Sequence, residues 1–166
     1  MQFDLRSFHE SAKNPYHTEF STALSQADFG GFTLAAPAEC AFTATPTLDG
    51  TALLLCVKAK IQAECARCLE PLTRCCELTR DYLVRDRDLE DPDFELPCNE
   101  EGCLDLEELV FQEILFEVPP VLLCSADCKG LCPVCGKKRE GGCTCHAQEQ
   151  QAPTDERLSV LKQLLS

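Results

Sequence analysis

Between Cys124 and Cys145 the chain reads CSADCKGLCPVCGKKREGGCTC, and six of these 22 residues are cysteine. Whatever ties these sulfurs together decides how the last third of the chain folds. Within the stretch, Cys132-Pro-Val-Cys135-Gly is a CxxC turn with proline after the first thiol and glycine after the second. This is the form of a zinc knuckle: the turn aims two sulfurs at one metal, and Gly136 permits the positive φ that closes it. A second pair, Cys143-Thr-Cys145, follows behind Gly141-Gly142, so four thiolates can converge tetrahedrally.

Fourteen cysteines in 166 residues mean metal or disulfides, and compartment separates the two. No apolar run approaches the roughly 18–20 residues of a membrane span. The opening MQFDLRSFHESAK has acidic and polar residues where a signal peptide has a basic and then an apolar stretch. The expectation is a cytoplasmic chain with reduced thiols, which favours metal. The length suits one ordinary core, or one domain with a small metal-held module, and 45% hydrophobic content is that of a globular protein.

Eight cysteines form four closely spaced pairs: Cys65/Cys68, Cys124/Cys128, Cys132/Cys135 and Cys143/Cys145. Zinc takes four ligands, and soft thiolates suit it better than they suit hard cations. The simplest partition makes two structural zinc sites. Cys132, Cys135, Cys143 and Cys145 close a local knuckle, while Cys65 and Cys68 meet Cys124 and Cys128 and staple the tail to the strand region. A rival partition groups Cys124, Cys128, Cys132 and Cys135, and His146 is an alternative to Cys145. The first partition is preferred because it orphans none of the eight. Cys40 and Cys56 fall in strand-like segments and read as small core residues. Cys75, Cys76, Cys98 and Cys103 lack ligand spacing.

Upstream, alternation predicts a strand over 1–8, and 14–31 is ambiguous between strand and helix up to Gly30-Gly31. His9 and His17 read as isolated surface residues. From Phe32 the pattern is a meander. Strands are expected over 39–47 and 51–63 with Asp49-Gly50 at the turn between them, and another over 72–84. Leu53, Leu55, Val57, Ala59 and Ile61 lie on one face of the second. Residues 86–103 read as an acidic, solvated loop. Leu104 to Val118 predicts a helix capped by Asp105, with Glu108 completing a capping box. Its apolar stripe is Leu106, Leu109, Val110, Phe116 and either Glu113 or Ile114, and it ends at Pro119-Pro120. A short terminal helix with Leu158, Leu161, Leu164 and Leu165 is expected after Pro153.

The expected class is therefore α+β. An antiparallel sheet or partly open barrel carries a packed helix over residues 1–120, and 121–166 forms a zinc-binding tail with a terminal helix.

The net charge is −13, and residues 81–113 hold thirteen acids against Arg85 and Arg87. Two four-thiolate zinc sites would each add a formal −2. Non-specific nucleic-acid binding is disfavoured for the whole molecule. The basic exception is the knuckle, where Lys129, Lys137, Lys138 and Arg139 are the candidate contacts to RNA or to a partner. Phosphate-loop, nucleophile-elbow and HExxH patterns are all absent, which leaves no small-molecule chemistry to assign. An all-cysteine site reads as closed and structural, so the chain reads as a non-enzyme. The competing class is a redox or metal-handling protein using the Cys65/Cys68 dithiol.

With these pieces placed, the chain resembles the YceD family of large ribosomal RNA subunit accumulation proteins. The resemblance is carried by Cys65-Ala-Arg-Cys68-Leu-Glu-Pro71, by LDLEELVFQEILFEVPP, by Cys128-Lys-Gly-Leu-Cys-Pro-Val-Cys135-Gly, by Cys143-Thr-Cys145 and by the Asp155-Glu-Arg157-Leu-Ser-Val-Leu segment. It spans about residues 50 to 166. Lys137-Lys138-Arg139 stands where such tails tend to carry Asn-Leu-Asn, which makes this tip more basic. The resemblance implies a non-enzymatic role in accumulating or assembling large-subunit ribosomal RNA. The expected partner is a ribosomal protein, an assembly factor or the RNA itself.

Overall fold

The computed structural model describes residues 1–24, 27–89, 91, 94–139, 143 and 145. Its elements are β1 (Gln2–Asp4), α1 (Leu5–Ser11), β2 (Tyr16–Thr22), β3 (Phe32–Leu34), β4 (Ala38–Pro46), β5 (Thr51–Glu64), β6 (Pro71–Val84), β7 (Cys103–Asp105) and α2 (Leu106–Glu117). The fold is α+β with antiparallel sheets, as the alternation in the sequence predicts.

The spine is β5. It pairs along its whole length with β6, from Thr51 opposite Val84 to Glu64 opposite Pro71. Its other edge is divided between two strands. β4 takes residues 51–58, and β3 takes residues 61–63. β2 adds outside β4, which completes an open five-stranded sheet. The turn from β4 to β5 requires Gly50, because a Cβ there would sit 2.2 Å from the Val84 carbonyl oxygen. Period-two alternation then buries Leu53, Leu55, Val57, Ala59 and Ile61 on one face, none more than 5% exposed. They share a single core with Phe3, Leu5 and Phe42, and with Leu106, Leu109, Val110 and Ile114 of α2.

Several local readings change. The expected strand over 1–8 stops at Asp4, whose Oδ1 accepts the Ser7 N–H at 2.8 Å and caps α1. Phe3 and Leu5 are buried all the same, so the apolar pattern did not separate the two conformations. Within the ambiguous segment 14–31, Tyr16–Thr22 forms β2. His9 is half-buried, with Nδ1 3.0 Å from Thr51 Oγ1, so it joins α1 to the start of β5 rather than lying free on the surface.

α2 starts at Leu106, two residues later than predicted, because Cys103–Asp105 pairs with β1. Asp105 is the cap, accepting the N–H of Glu107 at 3.0 Å and of Glu108 at 3.3 Å. The reciprocal half of a capping box is missing. The Asp105 N–H donates to the Pro97 carbonyl, and the Glu108 carboxylate takes the Gln112 amide. Of the two alternatives on the stripe Ile114 is the buried one, whereas Phe116, also expected there, is 80% exposed. Glu113 bonds Arg80 at 2.8 Å and Tyr82 at 2.6 Å, fastening the helix to β6.

The acidic stretch 86–103 is not simply solvated. Phe94, Leu96 and Cys98 pack against the core, and the Asn99 side chain closes a turn onto the N–H groups of Glu101 and Cys103. The terminal helix expected after Pro153 lies outside the described residues. Among the described residues, no helix is long and apolar enough to cross a membrane.

Leu54 and Leu55 are neighbours on opposite faces of β5, 41% and 0% exposed. Leu55→Ala should cost about 2–5 kcal/mol through lost burial and a residual cavity, and Leu54→Ala less than about 1 kcal/mol. Urea unfolding of the two variants under reducing conditions measures the contrast.

Candidate metal centres

Two CxxC turns of nearly identical construction carry the cysteine groups. In the first, which joins β5 to β6, the Leu69 N–H bonds the Cys65 carbonyl at 2.9 Å and the Cys65 N–H bonds the Glu70 carbonyl at 2.9 Å. In the second, the Gly136 N–H bonds the Cys132 carbonyl at 2.8 Å and the Cys132 N–H bonds the Lys137 carbonyl at 2.7 Å. Each turn closes through a left-handed residue directly after its second cysteine, Leu69 at φ 60° and Gly136 at φ 69°. The glycine makes this conformation at no steric cost. The leucine is strained there, by roughly 1–2 kcal/mol, which the surrounding bonds must hold.

The turns gather two sulfur tetrads. Cys65, Cys68, Cys124 and Cys128 form one group, and Cys132, Cys135, Cys143 and Cys145 form the other; within each, all sulfurs lie within 4.8 Å of one another. Individual separations are 3.8 Å for Cys65–Cys128, 3.6 Å for Cys68–Cys124 and 3.6 Å for Cys135–Cys143. Tetrahedral Zn–S bonds of about 2.3 Å would place sulfurs about 3.8 Å apart. The donor sets and their spacing thus fit a soft, four-coordinate cation, and both tetrads can hold a metal ion. The grouping is that of the preferred partition.

Electrostatics within each tetrad single out one thiol. Cys65 is lowered to about 6, chiefly by the Cys124 backbone N–H and also by the N–H groups of Arg67 and Cys68, against the opposing effect of burial. Cys132 is likewise lowered to about 6, first by the N–H of Cys135 and then by that of Val134. Cys143 is pushed up to about 12, first because its thiol donates to Cys132. Each tetrad therefore turns backbone N–H donors toward one sulfur, which favours the thiolate form that a cation binds.

The first tetrad bridges distant parts of the chain, and a set of hydrogen bonds around it was not anticipated from the sequence. Ala66 N–H reaches the Leu122 carbonyl at 2.8 Å, and Leu131 N–H reaches the Arg67 carbonyl at 3.2 Å. The Arg67 guanidinium donates to the Cys128 carbonyl at 2.9 Å, and Arg74 donates to the Leu123 carbonyl. The available clue was the arginine inside the CxRC turn: a five-donor side chain placed beside backbone carbonyls left free by an irregular loop. Gly130 lies directly beneath Arg67, and a Cβ there would meet the Arg67 carbonyl oxygen at 2.9 Å.

The four candidate basic contacts do not behave alike. Lys129, Lys137 and Arg139 are exposed, whereas Lys138 is half-buried and pairs with Glu70. Of the other cysteines, Cys40 is buried and Cys56 half-buried in the sheet, and Cys75 and Cys76 face opposite sides of β6.

Gly130→Ala should separate the two turns without disturbing the sheet. Native-state hydrogen exchange should show the Leu131 amide losing protection by at least about tenfold, the equivalent of one hydrogen bond's net stabilisation, while amides of β5 keep theirs.

No curated protein and no solved structure matches this chain. One family does match, described as large ribosomal RNA subunit accumulation protein YceD, over residues 54–165. The match runs from within β5 through the β5–β6 hairpin, α2 and both cysteine groups. The chain belongs to the YceD family of large ribosomal RNA subunit accumulation proteins.

Proposed function

We propose that the chain is a non-enzymatic, cytoplasmic ribosome-biogenesis factor that supports accumulation or assembly of large-subunit ribosomal RNA, with one structural zinc ion in each cysteine tetrad. The observation that carries this reading is the family match, which covers both tetrads and the hairpin that one of them joins to the tail. Zinc is favoured because eight thiolates and no carboxylate or imidazole make up the donor sets, a closed and structural type of site. Such an ion would supply cross-linking only. The chain's own part is to place the sulfurs and shield them, with Cys65, Cys68 and Cys128 buried at the first site and Cys132 at the second. On this reading residues 1–120 present the working surface, and residues 121–166 form the fastened tail.

The partner is a ribosomal protein or assembly factor in preference to the RNA. Two loaded tetrads would each contribute a formal −2 beside Lys129, Lys137 and Arg139, and Lys138 is already engaged by Glu70. The rest of the molecule is strongly acidic, which repels phosphate. The redox alternative at Cys65/Cys68 is disfavoured on two grounds. Cys65 has no exposed surface to meet a substrate thiol, and the pair ends a β-hairpin instead of starting a helix.

Metal analysis of protein purified under reducing conditions should find two zinc ions per chain. Cys132→Ser/Cys135→Ser and Cys65→Ser/Cys68→Ser should each leave one. Two zinc ions retained after loss of Cys65 and Cys68, or a single zinc in the unaltered chain that survives their loss, would sink the stapling of tail to sheet.

In cells lacking the protein, large-subunit ribosomal RNA should fall relative to small-subunit RNA, and the intact chain should restore it. The quadruple Ala variant of Lys129, Lys137, Lys138 and Arg139 should restore it too. Loss of rescue by that variant would instead support direct RNA contact.

A further inference from the structure

Two depressions lie end to end along the exposed side of α2, bordered by the segment between β2 and β3. The first, about 730 Å³, is lined by the carboxylates Asp28, Asp105, Glu107 and Glu108. The second, about 450 Å³, is apolar, with Phe29, Phe32, Leu115, Phe116, Val118 and Pro119 in its wall and Glu64 at its edge. The Phe29 and Phe111 rings, 5.1 Å apart, join the two, and Leu115 follows Phe111 by one helical turn. Together they make one groove with an apolar end and an acidic end.

Part of the apolar end lies outside the core. Phe116 is 80% exposed and Leu115 40%, side by side in the last turn of α2. Adjacent exposed apolar side chains bordering a groove mark an interaction surface. The charge says what kind of partner fits. Among the described residues, no lysine or arginine lines either end. Among the described residues, the Met1 ammonium lies 3.8 Å from Asp105 and 3.6 Å from Glu107. A nucleic-acid backbone would meet carboxylates at the acidic end and, among the described residues, no lysine or arginine at either.

We propose that this groove binds a basic amphipathic segment of a protein partner, its apolar side chains around Phe116 and its lysines or arginines toward Asp28, Glu107 and Glu108. Helix-in-groove recognition of this sort takes its affinity from a few apolar anchors, with rim charge adding speed and selectivity. The proposal rests on the protein-partner reading above and names the face that serves it.

The test uses the full, zinc-loaded chain and three fluorescent probes: a short peptide with leucines at helical spacing and lysines elsewhere, the same leucine pattern with glutamates, and a single-stranded oligouridylate. Anisotropy should show the leucine–lysine peptide binding, and weakening as salt rises. Phe116→Ser should reduce that affinity roughly tenfold and Glu107→Gln/Glu108→Gln about threefold. Phe116→Ser changes an exposed side chain, so an unchanged thermal midpoint certifies its fold.

The groove is refuted if no peptide binds, if the leucine–glutamate peptide binds equally well, or if Phe116→Ser has no effect. Phe116-dependent binding of oligouridylate would overturn it in favour of RNA. Tighter peptide binding after Leu161→Ser/Leu164→Ser/Leu165→Ser would assign the groove to the chain's own terminal segment. A dimer that dissociates with Phe116→Ser would assign it to a second copy. Peptide binding that fails while the intact chain still restores ribosomal RNA overturns the groove alone, whereas failure of the intact chain to restore it overturns the functional reading.

Discussion

The junction of Cys65 and Cys68 with Cys124 and Cys128 holds together parts of the chain that little else connects. Around it the apolar material is sparse: the three buried cysteines are packed by Leu72, Leu123 and Leu131. Burying a full aliphatic side chain contributes about 1.5–3 kcal/mol, and these leucines are only partly buried. Backbone bonds such as Ala66 to Leu122 add about 1 kcal/mol net apiece. A structural zinc ion in a four-thiolate site contributes on the order of 10 kcal/mol, which exceeds both and is comparable to the stability of a whole domain. The proposed metal therefore does most to fix the tail. Arg67, Arg74 and Gly130 align the pieces so that the sulfurs meet.

The sheet needs no such help. Its core is continuous from Phe3 through β5 to Ile114, and Leu122 belongs to it even though it lies past Pro119-Pro120. The chain thus enters the cysteine region already anchored on one side. Two consequences meet at this boundary. The tail is held where Lys138 lies close to Glu70 and to the sulfurs of Cys68 and Cys124, which lowers its value for holding phosphate. The last turn of α2 meanwhile presents Phe116 and Leu115 next to Pro119 and Pro120, beside the same junction. On the proposed reading, an acidic protein serves RNA by holding one of the basic proteins that accompany it.

Much of this was legible in the sequence because two spacing rules were strict. Cysteines two to four residues apart specify pairs, and strand alternation places Cys65/Cys68 at the end of a hairpin, where they can reach outward. The same alternation identified the buried face of β5 residue by residue. Other elements were hidden for physical reasons. Phe3 and Leu5 are buried whether the chain continues as strand or turns into α1, so only the capping power of Asp4 marked the break. Phe116 follows Leu109 by seven residues and belongs to its stripe on paper. Past the end of the helix, however, burial passes to Val118 and Leu122, and Phe116 is left outside. The acids around Phe94 and Leu96 masked two side chains that pack on the core. The long-range hydrogen bonds of Arg67 and Arg74 have no local signature beyond an arginine in a metal turn.

Two four-thiolate sites are proposed, one joining the sheet to the tail and the other closing the tail on itself. Cadmium-113 NMR of the cadmium-substituted chain addresses them directly, because each site reports separately and its chemical shift reflects the number of sulfur ligands. Two resonances in the all-sulfur region are expected. Cys65→Ser and Cys124→Ser should perturb one of them, and Cys132→Ser and Cys143→Ser the other. A single resonance, or Cys65→Ser and Cys132→Ser acting on the same one, would contradict this arrangement.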